Sequence, residues 1–110
     1  MIEIHSINSQ GNILAMNMTD KNELLCEAIA EINENSATLI SIDEHLPNLA
    51  YDMGKAILNA IELKGIKKVK CYNENLHNAL IKLGFDQTKD KYILDLTDYF
   101  SNGCGKNENF

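Results

Sequence analysis

The stretch LAYDMGKAILNAIELKGIKKV, Leu49 to Val69, decides how this chain is read. Leu49, Met53, Ala56, Ile57, Ala60 and Ile61 fall at i, i+4, i+7, i+8, i+11 and i+12, the spacing of one buried stripe on an α-helix. Pro47 stands just before, where a first helical turn tolerates a missing N–H. Gly65 is the expected stop, because the residue after a helix often takes a left-handed conformation that suits glycine. Past Gly65 the period changes. In IKKVKCY, Val69 and Cys71 alternate with Lys68 and Lys70, which predicts a strand with both lysines facing solvent.

Working outward, ATLISI (37–42) is short and mostly apolar, as expected of a central strand covered on both faces. With the helix and strand that follow, it makes a β-α-β unit. NENLHNALIKLGF predicts a second, shorter helix with Leu76, Ala79, Leu80 and Leu83 inward and Gly84 as its stop. KYILDL (91–96) alternates as a last strand. Towards the N-terminus, IEIHSI (2–7) and NILAMNM (12–18) flank the turn-forming NSQGN and predict a β-hairpin. DKNELLCEAIAEINEN is expected to be helical: Leu25, Ala28, Ile29 and Ile32 share one face, and Asp20 with Glu23 resembles a capping box. The expected order is β-β-α-β-α-β-α-β, a single α/β domain over residues 1–100 with a mixed sheet. Residues 101–110, SNGCGKNENF, are expected to form a flexible tail.

Composition narrows the class. A chain of 110 residues with 45% hydrophobic and 24% charged content is long enough for one core and too apolar for global disorder. No apolar run reaches the ~18 residues of a membrane span, and MIEIHSINSQG lacks the basic and apolar regions of a secretory signal. Cys26, Cys71 and Cys104 are an odd set without CxxC spacing, which predicts reduced thiols in a cytoplasm. A net charge of −6 disfavours nucleic-acid binding, which rests on Lys and Arg neutralising phosphates. Lys64, Lys67, Lys68 and Lys70 form a local basic run, read as a solvated face, with a phosphate patch as the alternative.

Chemistry is expected in DEHLPNLAYDMG, between the third predicted strand and the helix after it, because ligands of open α/β sheets bind beyond the strand C-termini. Asp43 and His45 could act as a general acid/base pair. Acidic residues there also serve as ordinary partners of a helix N-terminus. Asp43, Glu44 and His45 lack a recognised metal-ligand spacing, and no metal is expected. Cys26 reads as small core filler, and Cys71, at a strand end, as the thiol nearest a binding mouth.

Residues 37–97, through LAYDMGKAIL, KGIKKVKCY, NALIKLGF and KYILDL, resemble the C-terminal half of GNAT-family N-acetyltransferases. That family carries a [Q/R]-x-x-G-x-[G/A] turn whose amides hold the pyrophosphate of acetyl-CoA, then a helix ending LYEKLGF. The resemblance implies acetyl-CoA as cofactor and a cofactor site at Met53, Gly54, Lys55 and Ala56, with Asn75 and Asn78 as polar contacts. The pattern is incomplete. Leu49 stands at the Gln/Arg position, Asp52 at the first glycine, and Leu80 where the family's tyrosine acid falls, so no catalytic residue is assigned. The predicted helix at 20–34 also replaces strands of the family. The resemblance therefore implies a degenerate acetyltransferase-like protein with weak or absent acyl-CoA binding. Over its whole length the chain also looks like STAS domains, regulatory modules with DSSGLG after the third strand. YDMGKA stands in that place with Met53 at the phosphorylated serine, which implies a non-enzymatic module meeting a protein partner through the 43–54 turn.

Overall fold

The structure, a computed structural model, describes residues 2–7 and 11–100. Its frame is a seven-stranded mixed sheet: β1 (Ile2–Ile7), β2 (Ile13–Asp20), β3 (Glu23–Ile32), β4 (Ser36–Glu44), β5 (Lys68–Cys71), β6 (Asp86–Gln87) and β7 (Tyr92–Asp95), in spatial order β1-β2-β3-β4-β5-β7-β6. The first four strands form an antiparallel meander, β4 and β5 are parallel, and β7 runs antiparallel to both β5 and β6. Helix α1 (Ala50–Leu63) makes the crossover from β4 to β5, and a 3-10 turn (Glu74–Leu76) leads into α2 (His77–Leu83). The predicted tail, 101–110, with Cys104, lies outside the described residues.

The expected helix at 20–34 is a strand. Lys21 and Asn22 both have positive φ, +52° and +69°, and Asp20 pairs with Glu23 across them. That is a two-residue hairpin turn of the kind whose twist matches antiparallel strands. Asp20 and Glu23 are therefore the ends of a hairpin, not a capping box. Part of the helical spacing arises from a bulge, which puts Leu25 on the face of Ala28 and Ile32, while Ile29 lies on the opposite face. The register shifts between Met18 and Thr19, leaving Leu25 as an extra residue, so Leu25 and Cys26 are both buried before alternation resumes at Ala28 and Ala30. Pairing on both edges outweighs the helix propensity of a Glu-, Leu- and Ala-rich segment. The element order is thus four strands before α1.

Both helices lie on one face of the sheet, and their packing explains the residue sizes. Cys26, Ala28, Ala30 and Ala37 are fully buried and small, and α1 sets Met53, Ile57, Leu58 and Ile61, equally buried, over β3 and β4. Gly54 faces α2, where a Cβ would come 2.5 Å from Leu83 Cδ1. Gly65 and Gly84 end the helices at φ of +85° and +102°, as the sequence predicts. No charged side chain among the described residues is buried, and no helix there is long and apolar enough to cross a membrane.

Two features of the sheet prepare the site. The β4–β5 ladder runs from Ser36–Lys68 to Leu39–Cys71 and stops, although β4 continues to Glu44. At the same point β4 bulges: Ala30 pairs with Leu39 and Ile29 with Ser41, so Ile40 is the extra residue. A bulge bends its strand, and this one lies where β5 ends at Cys71, so β4 continues beyond its parallel partner. A parallel β4–β5 pair with an antiparallel last strand fits the GNAT resemblance. A STAS-like sheet does not describe it.

Candidate functional site

Beyond the end of the β4–β5 ladder lies a groove of about 550 Å³. Ile42, Asp43 and Glu44 from β4 form one wall, Asn48, Ala50 and Tyr51 the start of α1 the second, and Asn73, Asn75, Asn78 and Lys82 the third. Each wall follows from local sequence. Past the bulge, Ile42 returns to the core and leaves Asp43 and Glu44 exposed. Asn73 braces the opposite side. Its Nδ2 donates to the carbonyl of the bulged Ile40 at 3.2 Å, and its Oδ1 accepts from the Asn75 N–H at 3.0 Å, capping the 3-10 turn.

The start of α1 has an unusual cap. Leu49, the N-cap residue, offers no side-chain oxygen. Glu44 supplies one from across the loop: its Oε2 accepts from the N–H groups of both Leu49 and Ala50, at 2.9 Å each. The first intrahelical bond follows from Met53 N–H to Leu49 O at 3.0 Å. A carboxylate here satisfies donors that a helix leaves open and lies at the positive end of its dipole. The groove thus meets the helix terminus where an anion would bind, and the chain has put an anion of its own there.

Beside the groove, His45 Nε2 lies 3.6 Å from Glu27 Oε2 and 3.8 Å from Asp43 Oδ2, on the open side of β3 and β4. The predicted Asp43–His45 pair does meet, joined by Glu27 through the direct Glu27–Asp43 register. Ligand atoms of the three lie within 4.8 Å of one another, at a solvent-facing position. No nucleophile stands in this group.

The cofactor residues implied by the resemblance divide between two places. Asn75 and Asn78 line the groove. Met53, Gly54, Lys55 and Ala56 lie inside α1: Met53 and Gly54 are buried, and Ala56 packs on the core. Lys55 points to the C-terminal turn, with its Nζ 4.6 Å from the Tyr99 ring centroid and 5.8 Å from those of Tyr51 and Phe100. Two lysines of the basic run make ion pairs, Lys67 with Glu62 at 3.0 Å and Lys68 with Asp95 at 2.7 Å. The Lys68 bond, with the Thr97 amide, holds the Asp95 carboxyl well below the usual range. Cys71 is buried behind the groove, and burial pushes its thiol up. Leu80, at the position of the family's tyrosine, is fully buried. The expectation that an acidic residue of this stretch partners the helix N-terminus is met by Glu44; what pattern reading did not give is which carboxylate and which two amides. The signal was a helix start with no Ser, Thr, Asp or Asn at its N-cap.

No family model and no curated protein matches the sequence. Solved structures match the fold. A GNAT family acetyltransferase from Elizabethkingia anophelis with acetyl-CoA bound has a TM-score of 0.67 at 12% identity, over 80% of this chain and 78% of that one. The ribosomal-protein-S18-alanine N-acetyltransferase from Escherichia coli gives 0.65 at 17% identity and covers 100% of both chains. The PaiA N-acetyltransferase from Thermoplasma acidophilum, in complex with coenzyme A, gives 0.59 at 21% identity over 76% of this chain, which spans 59% of its length. The STAS-like alternative has no support in these neighbours or in the sheet. The strands β2 and β3 also remove one departure from the family pattern, the helix expected at 20–34.

Proposed function

Because the chain carries the GNAT acetyltransferase fold, we propose that its groove is an acyl-coenzyme A site of low affinity in an acetyltransferase-like protein. The observation that carries this reading is the Glu44 carboxylate on the Leu49 and Ala50 amides. In the family pattern, backbone donors at this turn hold the cofactor's pyrophosphate. Here a pyrophosphate would have to displace Glu44 or lie beside it. Two like charges ~4 Å apart at an effective dielectric near 20 repel by roughly 4 kcal/mol, and Asp52 on the same turn adds to the repulsion. Asn75, Asn78 and Lys82 on the facing wall supply neutral donors and one cation, enough to orient a polar arm. Bound acyl-CoA would supply an activated thioester. The chain's own part is to hold the pyrophosphate at α1 and admit the arm between β4 and β5.

A thermal-shift titration with CoA and acetyl-CoA tests this. The unmodified chain should shift slightly or not at all at millimolar ligand. Glu44→Ala frees both amides, and affinity should rise by about tenfold or more, worth about 1.4 kcal/mol per decade. Removing the cap lowers the ligand-free melting point, so each shift is read against the variant's own baseline. If Glu44→Ala, folded, shows no shift with either ligand, the reading is wrong.

A further inference from the structure

We propose that the outer edge of β1 is a self-pairing interface, through which two copies of this chain join antiparallel, β1 against β1, in one continuous sheet. The two ends of the sheet are built differently. At one end β6 is only Asp86–Gln87, closely followed by the charged Lys89, Asp90 and Lys91. A short, charged edge resists pairing with another chain. At the other end β1 is six residues long and pairs with β2 in unbroken register from Ile2–Asp20 to Ile7–Ala15. It contains no proline, no lysine and no bulge, the devices that blunt an edge. Its side chains are exposed on both faces, with Ile2 at 55% and Ile4 at 41%. An edge left in this state presents a row of backbone donors and acceptors to another strand.

The side chains select a second copy as that strand. Glu3 and His5 lie on one face, with Glu3 Oε1 3.2 Å from His5 Nε2. In a two-fold antiparallel pair centred on Ile4, Ile4 faces its own equivalent, and Glu3 faces the partner's His5. By symmetry His5 faces the partner's Glu3. A self-complementary patch is what an isologous two-fold interface requires, and a carboxylate opposite an imidazole can hydrogen-bond across the strand pair. Centring the pair on Glu3 would set two carboxylates opposite each other, and centring it on His5 two imidazoles. All three registers keep both helix layers on the same side, and only the one centred on Ile4 sets Glu3 opposite an imidazole rather than like against like.

Sedimentation equilibrium on the full chain tests this, from micromolar to high-micromolar concentration. The expected species is a dimer of twice 12.3 kDa. Ile4→Lys, at an exposed position, should weaken dimerisation by at least tenfold with an unchanged circular dichroism spectrum. Glu3→Lys should act likewise, and combining it with His5→Glu should restore the dimer by reversing the charges. A monomer at every concentration, assemblies beyond the dimer, or a dimer indifferent to both single variants overturns the proposal. So does a doubly substituted chain that remains as dissociated as Glu3→Lys.

Discussion

A methyl group at Gly54 would lie 2.5 Å from Leu83 Cδ1, and Leu83 is itself buried. Two opposed effects meet there. Alanine is favoured over glycine inside a helix by roughly 1 kcal/mol, while overpacking a closed core costs ~1–3 kcal/mol. Because Leu83 is buried and must shift, the second should win, and Gly54→Ala should lower stability by about 1 kcal/mol in urea titration. A glycine that looked like part of a cofactor turn is thus accounted for by helix contact. Cys26 gives a second prediction at this scale. Burial first, then the carboxylates of Glu44 and Asp43, push its thiol from an ordinary 9.0 up to about 11. The unfolded chain loses this proton near pH 9 and the native chain near 11, so the contribution is intact below pH 9 and is lost as pH rises to 11. Denaturation of the unmodified chain and Cys26→Ala at pH 8 and 10.5 should show the unmodified chain losing on the order of 2 kcal/mol more.

Among the elements, the β2–β3 turn holds two residues other than glycine at positive φ. Such conformations cost of order 1 kcal/mol, and glycine is the preferred second residue of this turn. Asn22→Gly should therefore raise the urea midpoint, by about 0.5–1 kcal/mol in stability. The C-terminal turn is held from two sides: Tyr99 Oη donates to the Leu83 carbonyl, and the Lys55 ammonium sits over the Tyr99 ring. Lys55→Met keeps the stem and removes the charge, and should cost about 0.5–1 kcal/mol. The elements also show where pattern reading works. In α1, six residues repeat the helical period and Gly65 closes it, so helix and strand were legible from local order alone. In β3 the bulge at Leu25 put Leu25 three residues from Ala28 on one face, Ile29 on the other face completed a helical spacing by chance, and what makes it a strand is pairing with β2 and β4, which no local window contains. The two-residue β6 is too short to leave a period.

At the scale of the whole molecule, the walls of the groove come from segments far apart in sequence, Asp43 to Tyr51 and Asn73 to Lys82. The first was legible because it follows a predicted central strand. An acidic partner for the helix start was legible there too, but which carboxylate reaches which amides was not, since that depends on how the loop through Pro47 folds back. Beside the groove, Ile40 is the extra residue of the β4 bulge. Leu39 and Ile42 both face the core, and Ile40 and Ser41 stand between them where regular alternation has room for one. A chain lacking Ile40 would keep every neighbouring side chain on its present face while straightening β4. Deletions inside a strand usually turn it inside out; this one should leave a folded protein with an ordinary dichroism spectrum. What it should remove is the space, by letting β4 and β5 zip past Leu39 and Cys71. Shape and cavity are thereby separable in this architecture by a single codon.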